Sequence, residues 1–207
     1  MDDIRIDSQG FRVGRWSFPP FVLRRGQRVA LNLPQEGIQD HDRLVAALTG
    51  SEIVPGLALH GSVVFARSAL GPTGWRRWLR DPTAFGWLKT NTSLADDAIL
   101  AILNEHAIDR EIPLNSFAGT PRSILGLYAA LARKPGAIVY TSSGLDPLGK
   151  LTIHQIVARH LSECAAVYLG WPYACQGQEQ RDELPGATWI SITECVPTLR
   201  SSVPAGK

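Results

Sequence analysis

Two runs of uninterrupted apolar residues, Ala137-Ile138-Val139-Tyr140 and Ala165 to Leu169, constrain this chain more than any other feature. A strand with one wet face alternates polar and apolar residues, whereas a strand covered on both sides is apolar throughout, as in buried parallel sheets. Leu151 to Leu161, between the two runs, has helical spacing, and strand–helix–strand is the connection that joins parallel strands.

The same alternation extends in both directions. Arg28-Val29-Ala30-Leu31-Asn32-Leu33 alternates into a core, a polar loop follows, and Leu44, Val45, Ala47 and Leu48 predict a helix stopped at Gly50. From Gly56 to Ala66, Leu57, Leu59, Val63 and Phe65 predict a hairpin turning near His60-Gly61, while Ser68 to Thr92 shows no clear period. Ser93 followed by Asp96 predicts a helix start, with Ile99, Leu100, Ile102 and Leu103 on its apolar face. Thr120-Pro121 predicts a second start, lined by Ile124, Leu127, Tyr128 and Leu131 up to Pro135. Thr188 to Ile192 predicts a further strand. The expected fold class is α/β: a mostly parallel sheet flanked by helices, with a β-hairpin region. The expected organisation is one domain over residues 1–200 and a loose tail at 201–207.

Composition excludes several classes. A chain of 207 residues with 44% hydrophobic and 19% charged residues can bury a sizeable core. A net charge of +2 is too small to make nucleic acid the expected main partner. The acidic start MDDIRIDSQG is not a secretory signal, and no stretch reaches the roughly 20 apolar residues of a membrane span. Cys164, Cys175 and Cys195 are odd in number and form no CxxC pair, so reduced thiols in a cytoplasmic protein are expected.

Two segments resemble the ATP-binding cassette (ABC) family. GQRVALNL…RLVAALTG, residues 26 to 50, is similar to the family's strand, phosphate loop and following helix. AGTPRSILGLYAALARKPGAIVYTSSGLDPLGK, residues 118 to 150, is similar to its signature helix, the next strand and the dimer-facing D-loop. The resemblance covers residues 10 to 170. It implies a P-loop-NTPase-like sheet and a small helical subdomain inserted at about residues 70–117.

What the resemblance does not carry over is the chemistry. A phosphate loop needs glycines to converge backbone N–H groups, a lysine for the β- and γ-phosphates and a Ser or Thr for Mg²⁺. The corresponding stretch includes Pro34, Gln35, Glu36, Gly37, Asp40 and Asp42: one glycine, no lysine and three acids. At an effective dielectric near 20, each unpaired like-charge contact at about 4 Å costs roughly 4 kcal/mol. The strand after the signature helix, which the family ends in Asp-Glu, runs from Tyr140 into Thr141-Ser142-Ser143. Residues 51 to 115 contain no Gln to sense a γ-phosphate, and Gly170-Trp171-Pro172-Tyr173 stands where a switch histidine belongs. The vestigial signature Ala118, Gly119, Thr120 keeps one glycine. No nucleotide cofactor is therefore expected.

Interface candidates come from two places. Gly144, Leu145 and Asp146 match the D-loop; Asp146 either meets a partner or is a turn acid before Pro147. Trp75, Arg76, Arg77, Trp78 and Arg80 fall where the family's domain meets its membrane partner. Trp and Arg suit a protein interface, but a structural surface turn and a basic-aromatic nucleic-acid patch fit the same residues. His41-Asp42 has no nucleophile motif to serve, and His154 and His160 are six apart on one helix, so neither pair is expected to catalyse or bind metal. The resemblance with its losses implies a catalytically inactive cassette subunit, a scaffold or interaction component peripheral to the inner membrane face. Its implied partners are an active ABC ATPase subunit, a transmembrane subunit, or both. The alternatives are an active ATP-binding subunit with a non-standard site and a nucleic-acid-associated cassette protein.

Overall fold

The computed structural model describes residues 3–32, 39–71, 81–170 and 184–194. At its centre is a parallel sheet of β5 (Arg28–Asn32), β7 (Val63–Phe65), β8 (Ala137–Thr141), β9 (Ala165–Gly170) and β10 (Thr188–Ile190), in the order β10-β5-β9-β8-β7. Every residue of β9 is buried, as are the first four of β8, which is what their unbroken apolar character demands. Helix α5 (Pro147–His160) connects β8 to its parallel neighbour β9, pairing Ala137 with Ala165 and Tyr140 with Tyr168.

Different material covers the two faces. One packs against α1 (His41–Leu48), through Leu44, Ala47 and Leu48, and against an N-terminal set of antiparallel strands. These are β1 (Ile4–Ser8), β2 (Phe11–Val13), β3 (Trp16–Phe18) and β4 (Phe21–Arg24). Strand β4 pairs with β1, β1 with β6 (Leu57–Leu59), and β2 with β3. The opposite face packs against α4 (Gly119–Leu131), α5, α2 (Ala84–Asn91) and α3 (Asp96–Glu105). Coverage on both sides makes the all-apolar strands stable where they lie.

Several local expectations hold. Helix α1 ends where Gly50, at φ +76°, turns its N–H back to the Ala47 carbonyl at 3.2 Å. Strand β10 lies parallel to β5, with Trp189 opposite Ala30.

Others are corrected. Residues 56 to 66 do not form a hairpin: β6 joins the antiparallel strands beside β1, and β7 joins the parallel sheet beside β8. Alternation marks both as strands but cannot say which neighbour each will find. Helix α3 is capped by Ala95 rather than Ser93, with Asp96 and Asp97 supplying negative charge to its first turn. Helix α4 begins one residue before Thr120, so Pro121 lies within the first turn, where its missing N–H still breaks no helical bond. The stretch without a clear period contains α2, capped by the Thr83 hydroxyl, which accepts from Gly86 N at 3.2 Å. Helix α5 starts at Pro147, four residues before the apolar spacing shows it.

Candidate functional site

The sequence candidates fall into separate places. Pro34, Gln35, Glu36 and Gly37 lie outside the described residues, as do Trp75, Arg76, Arg77, Trp78 and Arg80.

Asp40 and Asp42 stand at the head of α1, whose N-terminal turn presents partly unsatisfied N–H groups. Asp40 is the N-cap residue, yet its carboxylate does not cap. It accepts from the Trp16 indole N–H at 3.0 Å and lies over Gly14, where an added Cβ would approach it to 2.4 Å. Gly14 has φ +57°, so both space and backbone favour glycine there. The Arg15 guanidinium stacks 4.8 Å above the Trp16 ring and pairs with Glu194 at 3.1 Å. The N-terminal strands thus hold one acid of this loop against themselves. Asp42 is 99% exposed, with His41 Nδ1 at 3.4 Å.

Ala118-Gly119-Thr120 and Gly144-Leu145-Asp146 come together within the chain. The Thr120 hydroxyl donates to Asp146 Oδ2 at 3.2 Å. Asp146 Oδ1 accepts from Gly149 N at 2.8 Å and so caps α5, with Pro147 at the first helical position. These bonds hold the Asp146 carboxyl below its ordinary pKa, Gly149 contributing most. Gly119 packs on this loop: an added Cβ would meet Leu145 Cδ2 at 3.3 Å and the Gly144 carbonyl at 3.4 Å. Ala118, Gly119, Gly144 and Asp146 are all exposed, so the loop presents a surface while Asp146 is engaged inside it.

A third group lies beneath the sheet, and the sequence reading missed it. Alternation puts Arg28, Ala30 and Asn32 of β5, Tyr168 and Gly170 of β9, and Tyr140 of β8 on the face towards α5. Tyr140 and Tyr168 stand side by side, ring centroids 5.3 Å apart. His154 of α5 packs edge-on against both, and its Nδ1 lies 3.3 Å from the Tyr140 hydroxyl. Ser142, buried just beyond β8, lies with its Oγ 2.8 Å from the Tyr168 hydroxyl. Burial pushes the His154 pKa down to about 4, and the cations of Arg28 and Lys150 reinforce it. Burial likewise raises the Tyr140 phenol. Arg28 Nε, Asn32 Oδ1 and His154 Nε2 are buried without a hydrogen-bond partner among the described residues. His154 is thus a buried member of the core, packed against two tyrosines. The available signal was the pair of polar-tipped aromatics in otherwise aliphatic strands, since buried Tyr hydroxyls need partners.

Elsewhere, Cys164 is a buried free thiol whose pKa burial raises; Cys175 and Cys195 lie outside the described residues. Among the described residues no helix is long and apolar enough to cross a membrane.

No family model matches the chain, and no curated protein matches it. Solved structures do. A metal-chelate type ABC transporter in an inward-facing conformation aligns with TM-score 0.66 at 12% identity, covering 93% of this chain and 84% of that one. The protein cbiO1 from Clostridium perfringens, described as part of the ABC transporter complex cbiONQ, aligns with TM-score 0.57 at 13% identity, covering 84% and 80%. An ATP-binding subunit of an ABC transporter aligns with TM-score 0.54 at 14% identity, covering 73% and 71%. At these identities the likeness is one of fold: the chain is folded as the ATP-binding subunits of ABC transporters are.

Proposed function

We propose that this chain is a catalytically inactive ABC ATPase-like subunit, which acts as an interaction or scaffold component of a transporter-type complex at the inner membrane face. The carrying observation is the end of β8. The strand is buried and lies between β7 and β9, but its exit reads Thr141-Ser142-Ser143, with Ser143 N donating to Thr141 Oγ1 at 3.1 Å. Residues 137 to 145 contain no carboxylate. A metal-bound triphosphate needs an acid there for the metal and another to polarise water. Hydroxyls tied to Tyr168 and to the local backbone supply neither.

The residues do not fit a magnesium–nucleotide complex elsewhere either. The loop after β5 contains no lysine, and the exposed Asp42 at the head of α1 would meet phosphates with like charge. The partners this reading favours are those of the fold's relatives: an active ATPase subunit, a membrane subunit, or both. A partner's nucleotide placed against Ala118-Gly119-Thr120 would find one glycine, which argues for a role outside ordinary two-site pairing.

Calorimetry of the isolated chain with ATP and Mg²⁺, alongside a phosphate-release assay, tests the reading. The expected result is no saturable heat and no turnover. Micromolar affinity with turnover would overturn it in favour of an active subunit with a non-standard site.

A further inference from the structure

Among the described residues, strand β7 is one of the two outer strands of the parallel sheet, β10 being the other. The Ser62 carbonyl accepts from Gly136 N at 2.8 Å, and Ala66 N donates to the Val139 carbonyl at 2.8 Å. In a parallel ladder these bonds turn residues 62, 64 and 66 towards β8, leaving Val63 and Phe65 with N–H and C=O directed outward. The Phe65 carbonyl is taken by Arg67 N at 3.0 Å. No described residue meets the other three groups. An unpaired strand edge is a template for another strand unless something blunts it.

The surroundings leave room for one. Two adjoining cavities of about 250 and 520 Å³ share Val64, Phe65, Arg67 and Arg133 and so run together along this edge. Val45, Ala46 and Thr49 of α1 wall one side. Gly126, Ala129 and Ala130 of α4 wall the other, with Trp87 of α2 beside them. An incoming strand could therefore send alternate side chains to either side of the edge.

Arg67 is held firmly in place. The backbone leaving β7 crosses α4 at Gly126, where an added Cβ would lie 2.0 Å from the Arg67 carbonyl oxygen. Ala69 N donates to the Arg122 carbonyl at 2.8 Å, Arg122 Nε donates to the Ala69 carbonyl at 2.9 Å, and the Ser68 and Ser123 hydroxyls are 2.9 Å apart. Arg67 and Arg133 are exposed and have no ion pair among the described residues. Asp42, at the α1 end of the trough, is the one acid among the described lining residues.

We propose that the β7 edge takes up an extended, acidic segment of a partner protein, which pairs as a further strand with Val63 and Phe65 and delivers carboxylates to Arg67 and Arg133. Main-chain bonds give the attachment, and the two guanidinium groups select an acidic sequence, since Arg forks onto carboxylates. Asp42 disfavours carboxylates at the α1 end, which fixes the direction of entry. The proposal rests on the chain being an interaction subunit, but its test involves no nucleotide, so it can fail while the reading of the erased site stands.

The probe is a fluorescein-labelled eight-residue peptide alternating Val and Glu, titrated with the isolated chain at low salt and followed by anisotropy. Three controls accompany it: the Lys counterpart, a version N-methylated at alternate residues, and a helix-stapled Glu peptide. Saturable binding by the Glu peptide is expected, with each control at least about tenfold weaker. Amide exchange at Val63 and Phe65 is expected to slow on binding. Arg67→Glu with Arg133→Glu is expected to abolish binding with an unchanged circular dichroism spectrum, because both side chains are exposed. Equal binding by the N-methylated or Lys peptide, preference for the stapled helix, or no binding up to about 1 mM would each overturn the proposal.

Discussion

The two faces of the parallel sheet share one set of strands yet hold together differently. Towards α1 and the N-terminal strands the parallel strands present aliphatic side chains: Val29 and Leu31 from β5, Val139 from β8, Val167 and Leu169 from β9. Towards α5 the same strands present Arg28, Tyr140 and Tyr168, packed on His154. The first face contributes stability through area removed from water and is indifferent to pH. The second adds hydroxyl and imidazole contacts, some left incomplete, whose contribution depends on protonation. The aliphatic face thus stays packed without drawing on any polar or titratable group.

The comparison can be broken by mutation, beginning with the aliphatic face. Leu31→Ala removes a fully buried side chain and is expected to cost about 2–5 kcal/mol in urea denaturation, equally at pH 7 and pH 5. An effect that changes with pH would mean the two faces do not act separately.

The polar face should respond to acid. His154 is neutral when folded, with a pKa of about 4 against 6.5 in the unfolded chain. Its folded pKa is the lower one, so the unfolded state takes up the proton first. Stability attached to this group is complete above pH 6.5 and declines as pH falls towards 4. Between pH 7 and pH 5 the loss is expected to be about 2 kcal/mol. His154→Asn should flatten that slope while lowering stability at pH 7, and an unchanged slope would assign the acid sensitivity to other groups.

Smaller effects sharpen the picture. Tyr140→Phe keeps the ring and removes the hydroxyl beside His154, with an expected cost of about 1–1.5 kcal/mol in thermal or urea unfolding. Ser142→Ala removes the oxygen beside the Tyr168 hydroxyl, at an expected cost of about 0.5–1 kcal/mol. If Ser142→Ala cost more than Leu31→Ala, the hydroxyls at the end of β8 would be holding the sheet, and the division between the faces would be wrong.

The parallel strands were readable because double-sided burial leaves its mark on every residue, as in Ala165 to Leu169. The antiparallel strands from Ile4 to Arg24 were not, since each is only three to five residues long and none carries a long pattern. Asp146 was visible as a candidate, but its bonds to Gly149 and Thr120 were not, because Thr120 lies 26 residues away. Asp40 was read as an acid facing phosphate; its indole partner is 24 residues upstream.

Sequence alone determined the alternation of strands and helices, the burial of β8 and β9, and the absence of lysine from residues 33 to 42 and of carboxylates from residues 137 to 145. Those are properties of residue type and local period. Tertiary structure decided that β6 and β7 part into different sheets, that Trp16 holds Asp40, that His154 sits among tyrosines, and that no described strand pairs with the outer edge of β7. Each of these depends on which distant segment arrives alongside, and side-chain periodicity fixes a face without naming the neighbour that covers it.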